Sequence, residues 1–456
     1  MNTWVTGIVL LCAALLAQAS EQDVLAREIY AELIGMDTTH STGSTTVAAE
    51  AMARRLRDAG LAGDAIEVIG PTATRGNLLA HLKGDGSARP LLLLAHIDVV
   101  EAAAGEWSVA PFELSEKDGY FYGRGTSDNK ASAAIHVSNL ITYVREGRVP
   151  KRDIYLALTA DEEGGSNNGV KWLLENRPQI RDAQLALNEG GKGTLVDGRA
   201  LANGLQFSEK VYQSYRVQAS GPGGHSALPT RENPIYRVAA GVSRIAAFAF
   251  PVNLNEGTRE FFRQEAKLRS GVLAADMLAI LEEPLDPVAE QRLAAIPEFN
   301  GVLRTTCVAT QIAGGHAENA LPMRATATVN CRVLPHETIA SVTATLARVL
   351  ADDQLLITPL EVATLSPPSP LDPVIMEPVR SITAAIWPDA VVVPVMGLGA
   401  TDSALTRNAG IATYGISGAF VAEGDYRAHG KDERLPVSSF YESREFLDRL
   451  VRALAF

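Results

Sequence analysis

The sequence predicts an α/β protein in which a larger domain with a helix-covered sheet is interrupted by a smaller α+β domain of ferredoxin-like order. Three observations predict this. Up to about residue 210, continuous apolar runs alternate with helical patterns, the texture of strands buried on both faces. Near Val211 the runs become alternating, as expected of a sheet with one covered face. After the linker "SPPSPLDP" at 366–373 the buried-strand texture returns.

Along the chain, Val5 to Leu16 is an apolar run of about a dozen residues, too short to span a bilayer. It leads into Ala17-Gln18-Ala19, so residues 1–19 read as a signal peptide cleaved after Ala19. No Lys or Arg precedes that run, which departs from the usual leader. An exported chain, periplasmic or secreted, without a stable membrane anchor is expected. Residues 20–210 form the first part of the larger domain. A helical stretch is read at 22–60, strands at 77–82, 90–100 and 153–160, and helices at 130–146 and 169–176. Residues 211–365 form the insert. Its β-α-β-β-α-β order comes from "VYQSYRVQAS", a helix at 234–249, "GVLRTTCVATQI", "RATATVNCRVLP", a helix at 337–351 and "QLLITPL". A charged, helix-biased stretch at 254–298 interrupts it. Residues 366–456, with "AVVVPVMG" and "IATYGISG", complete the larger domain.

The length of 456 residues accommodates two domains or more, and a net charge of −12 excludes nucleic acid as a partner. After cleavage Cys307 and Cys331 remain; both lie in strand-like runs, and a disulfide or two buried thiols are both compatible with that. Lacking CxxC spacing, they are not read as metal ligands.

Chemistry concentrates where buried strands run out into loops, the place where open α/β sheets bind ligands. "LLLLAHIDVV" presents His96 and Asp98 on one side of an extended chain, a spacing that lets a carboxylate serve the second nitrogen of a metal-bound imidazole. "GRGTSDNKAS" places Asp128 in a Gly-flanked turn opening a helix, where it is either a ligand or a helix cap. "LTADEEGG" carries Asp161, Glu162 and Glu163; "LALNEGGKG" carries Glu189; "RAHGKDE" carries His429. Two histidines and several carboxylates form a donor set suited to zinc. Two neighbouring dications would also offset the repulsion among adjacent acids.

In this order the motifs resemble the dizinc exopeptidase family that includes glutamate carboxypeptidase, carboxypeptidase S, aminoacylase and succinyl-diaminopimelate desuccinylase. The matching stretches are His96-Ile97-Asp98-Val99, Gly123-Arg124-Gly125 with Asp128 and Lys130, Glu162-Glu163-Gly164, and Asn188-Glu189-Gly190-Gly191. They continue with Gly224-His225-Ser226, Asn319-Ala320-Leu321-Pro322, Thr401-Asp402, and His429-Gly430 with Glu433. The resemblance implies a zinc-exopeptidase domain, a mixed sheet flanked by helices, with an inserted ferredoxin-like lid through which the protein forms a homodimer. It implies two Zn2+ per chain, with Co2+ or Mn2+ as possible substitutes. His96 and Glu189 would hold one ion, Glu163 and His429 the other, and Asp128 would bridge them ahead of a cis peptide bond. Asp98 would orient His96, and Glu162 would be the general base. His225 would reach the oxyanion across the dimer, Asn319 would belong to the same pocket, and Arg332 would grip a substrate carboxylate.

Some residues depart from the family pattern. Ala404 stands where aminoacylase and carboxypeptidase S relatives often carry Arg, Glu189 where glutamate carboxypeptidase-like members use Asp, and Ala131 where Gly is common. The expected activity is hydrolysis of the amide bond of small peptides, of carboxypeptidase or dipeptidase type, because Arg332 suits a free C-terminal carboxylate. The alternatives are an aminoacylase-type hydrolase of N-acyl amino acids and a catalytically silent binding homologue. His40, His81, His136, His316 and His336 have no surrounding motif and receive no role.

Overall fold

A computed structural model describes residues 20–456; the leader, with its predicted cleavage after Ala19, lies outside the described residues. No helix among the described residues is long and apolar enough to cross a membrane.

The strand Ala88–His96 shows how the larger domain is built. Leu91 and Leu93 enter one apolar core and Leu92 and Leu94 another, on opposite faces of the sheet. A residue pair that alternates sides yet stays apolar on both gives the continuous run read from the sequence. Each such leucine contributes about 1.5–3 kcal/mol by leaving water. The sheet has ten strands and is mixed. From one edge it runs Ile66–Ile69, Asn77–Leu82, Arg152–Thr159, Ala88–His96, Leu185–Asn188, Ala412–Gly415, Arg199–Glu209, Gly193–Val196 and Phe420–Ala422, with Val391–Gly397 parallel to Arg199–Glu209. Three of the central strands, Ala88–His96, Arg152–Thr159 and Leu185–Asn188, run parallel, so their C-terminal ends gather on one edge. Helices Glu21–Ile34, Lys130–Glu146 and Val437–Ala455 cover one face, where Tyr30 stacks on Phe440 at 4.5 Å.

The insert has a four-stranded antiparallel sheet, ordered Thr306–Gly314, Arg324–Val333, Val211–Ser220 and Leu356–Pro359. Helices Pro234–Ala247 and Ile339–Leu350 pack on it through Val238 and Leu346, which meet Tyr215, Val217 and Val329. Strand order and helix placement are those of a ferredoxin-like sandwich. Cys307 and Cys331 face each other across adjacent strands and are joined as a disulfide, which decides between the two states open to the sequence.

Several elements differ from the sequence reading. The stretch 22–60 is two helices, Glu21–Ile34 and Thr45–Asp58, separated by a turn. "GVLRTTCVATQI" is not one strand: Gly301 to Leu303 end the helix Pro297–Leu303, and the strand begins at Thr306. Val302 and Leu303 are claimed by a separate apolar cluster with Phe262, Met277 and Leu293, which holds the four helices of 256–303 together. The strand Arg199–Glu209 and the helix Val437–Ala455 escaped the reading. "RALANGLQFSE" holds Asn203 and Gly204 and no β-branched residue, so local propensity is silent there and the flanking strands decide.

His136, without a motif, is a buried core residue of helix Lys130–Glu146 whose Nδ1 has no partner. Burial pushes its pKa down to about 4. Unfolded, it takes up a proton near the ordinary value of about 6.5, so between these values the unfolded chain binds more protons. Stability is therefore expected to fall by up to about 3 kcal/mol as pH drops from about 6.5 to 4. Urea unfolding across that range should show this acid slope flattened in His136→Leu.

Candidate metal centre and active site

The three parallel strands end in His96, Thr159 and Asn188, and each delivers its last or next residues to a common point. His96 Nε2 lies 3.1 Å from Asp128 Oδ1 and 3.5 Å from Glu189 Oε2. His429 Nε2 lies 2.8 Å from Glu163 Oε2 and 3.5 Å from Asp128 Oδ2. The two oxygens of Asp128 thus serve different histidines. Asp128 caps no helix: the N-cap of Lys130–Glu146 is Asn129, and the Asp128–Asn129 peptide is cis.

The acid triplet separates into three environments. Asp161 turns away and pairs with Arg75 Nε at 3.0 Å. Glu163 reaches His429, while its backbone N–H donates to Asp98 Oδ2 at 3.0 Å. Glu162 points into the cleft, where its carboxylate groups with His96 and Glu189. Asp98 holds the His96 ring through its main chain more closely than through its side chain: Nδ1 is 3.1 Å from the Asp98 carbonyl and 3.6 Å from Oδ1.

A residue outside the predicted set organises the site. The Glu433 carboxylate, with no exposure, accepts from the N–H groups of Gly125 (2.9 Å), Ser127 (2.6 Å) and Asp128 (2.9 Å) and from Arg124 Nη1 (2.7 Å). It fixes the loop that carries Asp128. Asp402, also given no role from the sequence, is buried and accepts from Asn168 Nδ2 at 2.6 Å. Both lie in stretches that carried the family resemblance, and that was their only signal. Lys192 and Tyr426 gave none.

Charge is unbalanced in this cluster. Burial and then Glu189, together with Asp402 and Glu163, push the Glu162 carboxyl well above the usual range. Burial and neighbouring acids push Glu163 up to about 7 and Asp402 up to about 7. Burial opposes a charge on His96, yet the Glu189, Asp128 and Asp98 carboxylates outweigh it and raise its pKa well above normal. Two buried oxygens, Glu163 Oε1 and Asp98 Oδ1, have no hydrogen-bond partner. Crowded hard oxygens, two imidazoles and orphaned acceptors together fit divalent cations, which would return these acids to their charged forms.

A cleft of about 1010 Å³ opens from this cluster toward the insert, where Tyr212, Arg332, Glu361 and Val362 form the far wall. Arg332 lies over the Tyr212 ring at 4.9 Å, so the predicted carboxylate grip faces the cleft. The structure does not bring His225 and Asn319 there. They are exposed on a two-stranded ribbon, Gly224–His225 against Ala320–Leu321, where Ser226 N–H donates to the Asn319 carbonyl at 3.0 Å. Within one chain neither residue lines the cleft; the ribbon holds both in solvent.

Fold and site together define a metal-dependent hydrolase acting on amide bonds. The chain belongs to the peptidase family M20/M25/M40, whose model matches residues 92–453. It is 28% identical over 380 residues to the human N-fatty-acyl-amino acid synthase/hydrolase PM20D1, covering 81% of this chain and 74% of that one. It is 28% identical over 394 residues to the probable carboxypeptidase S-like 2 of Dictyostelium discoideum, covering 82% and 74%. An M20 family metallo-carboxypeptidase from Sulfolobus solfataricus shares the fold, with a TM-score of 0.68 at 17% identity over 96% of this chain and 99% of that chain.

Glu433→Ala should leave Arg124 buried and unpaired and is expected to lower stability by about 3–5 kcal/mol, read by urea unfolding. The freed Asp128 loop should also weaken divalent-metal binding about 10–100-fold, read by calorimetry.

Proposed function

We propose that the protein is an exported exopeptidase that hydrolyses the amide bond preceding a free C-terminal carboxylate in small peptides. The observation carrying this reading is Asp128, whose Oδ1 faces His96 and whose Oδ2 faces His429. Those contacts define two half-sites, His96 with Glu189 and His429 with Glu163, sharing one carboxylate. They are the residues that would hold two zinc ions, or cobalt or manganese in their place. When bound, such ions make water more acidic and polarise a carbonyl.

The chain's own residues do the rest. Glu162 lies beside the half-sites, next to His96 and Glu189, and lines the cleft. It takes the proton of the attacking water and returns it to the leaving nitrogen. Arg332, a planar fork of donors on the cleft wall, receives the substrate carboxylate. A second copy of the chain, docking through the insert, is the proposed source of His225 and Asn319, which are exposed together on one ribbon.

A second reading, hydrolysis of N-acyl amino acids, is supported by the human relative and by the size of the cleft, about 1010 Å³ with Val362, Ala404 and Leu405 on its walls. It uses the same Arg332 contact and differs only on the acyl side.

Glu162→Gln is expected to keep its metal, by emission spectrometry, while kcat falls about 10²–10⁴-fold. A panel of dipeptides against N-acetyl and N-oleoyl amino acids separates the two readings. Turnover of the acyl substrates alone overturns the peptide reading, and no turnover of either, with less than one metal ion per chain, overturns both.

A further inference from the structure

Among the cations lining the cleft, Lys192 stands closest in sequence to the ligand set and is the one whose ammonium is least accounted for. It follows Glu189 by two glycines that lock the segment. Gly190 (φ 101°) would place a Cβ 2.6 Å from Gln206 Oε1, and Gly191 (φ 56°) would place one 2.3 Å from the Gly415 carbonyl. The main chain is therefore held by close contacts with the Gln206 side chain and the Gly415 backbone, and Lys192 leaves it in a fixed direction. Its Nζ lies 4.0 Å from the centroid of the Tyr426 ring. Lys192 faces both the cleft and a small cavity of about 20 Å³ behind Glu189.

The ammonium has acids around it but none as a partner. Asp128, Glu189, Glu163 and Glu433 all act on it electrostatically. Yet among the described residues no carboxylate lies within ion-pair distance and no acceptor within hydrogen-bond distance of Nζ. Lys210, another cleft lysine, differs: its Nζ donates to the carbonyls of Gly301 (2.9 Å) and Arg304 (2.7 Å). Lys192 is half-buried on the cleft wall, so its three donors are free to reach a substrate oxygen there. A cation is tolerated there, since Asp98, Asp128, Glu162, Glu163, Glu189 and Asp402 carry more negative charge than two dications would neutralise.

We propose that Lys192, steadied on the Tyr426 ring, is a catalytic residue that donates a hydrogen bond to the scissile carbonyl oxygen as it becomes an oxyanion. This rests on the amide-hydrolase reading above and adds a donor from the same chain. The step is a charge-stabilising one. As water oxygen bonds to the carbonyl carbon, the C=O π pair moves onto oxygen, and the Lys192 ammonium accepts that charge as hydrogen-bond donor without giving up its proton. When the C–N bond breaks the pair returns, and the nitrogen leaves with the proton carried by Glu162.

The test uses the zinc-loaded protein and a phosphinic pseudodipeptide, whose tetrahedral anion stands for the oxyanion. In Lys192→Met, kcat and phosphinate affinity are both expected to fall about 100-fold. KM and zinc per chain should stay within about twofold of the parent. Lys192→Gln, which keeps a neutral donor and is milder on the fold, should lose about tenfold in both, so the series stays informative if the Met variant does not fold. Unchanged kcat and phosphinate affinity in either variant overturn the proposal, and so does a loss of zinc that parallels the loss of rate. A parent protein that neither cleaves amides nor binds the phosphinate instead overturns the amide-hydrolase reading itself, and the Lys192 role with it.

Discussion

The site depends on one buried carboxylate. Glu433 joins a loop near the C-terminus to the turn before helix Lys130–Glu146, and its two oxygens collect three main-chain N–H groups and Arg124. An unpaired carboxylate in that position would be strongly disfavoured by loss of water, so its donors must all be present. That requirement sets the backbone of Gly125 to Asp128, and with it the direction in which the Asp128 oxygens point. His429 lies four residues earlier on the same C-terminal loop, so the interaction that orients the shared carboxylate also brings in one of its two histidines.

Around this anchor the chain tolerates a concentration of negative charge that stability alone would not select. Glu162, Glu163 and Asp402 all hold protons more strongly than ordinary acids do, because burial and one another disfavour their ionised forms. Asp161 instead pairs with Arg75, and so acts as the structural member of the triplet. Acids shifted this way by their surroundings mark functional sites more often than structural ones. The same crowding that would weaken an empty fold gives divalent ions a deep electrostatic well.

The insert contributes through the two points where the chain crosses into it. Glu209 pairs with Arg407 at 3.1 Å and accepts from Thr401, while Arg407 also donates to Ser366 at the return crossing. Gln213 and Ser214 are tied to Glu361 on the neighbouring segment. These buried polar contacts fix where the sheet bearing Arg332 meets the sheet bearing the acids, and so fix the shape of the cleft. Buried ion pairs add little net stability, but they have few alternative arrangements, which suits a junction whose geometry matters.

The sequence by itself determined the strand and helix texture, the interruption at 211 and the identities of the histidines and acids that meet. Periodicity and the chemistry of donor residues are local, and "LLLLAHIDVV" or "LTADEEGG" carries both within ten residues. The strand Arg199–Glu209 was not legible, because its burial is imposed by neighbours remote in sequence. Only the tertiary structure decided that Asp98 holds His96 mainly through its carbonyl and that Glu433 anchors the Asp128 loop. It also decided that Lys192 stands by the site unpaired, while His225 and Asn319 stand outside the cleft. Each of these is a distance between residues far apart in the chain. Such distances are set by packing, hydrogen-bond satisfaction and charge balance summed over the whole molecule, and no local pattern records them.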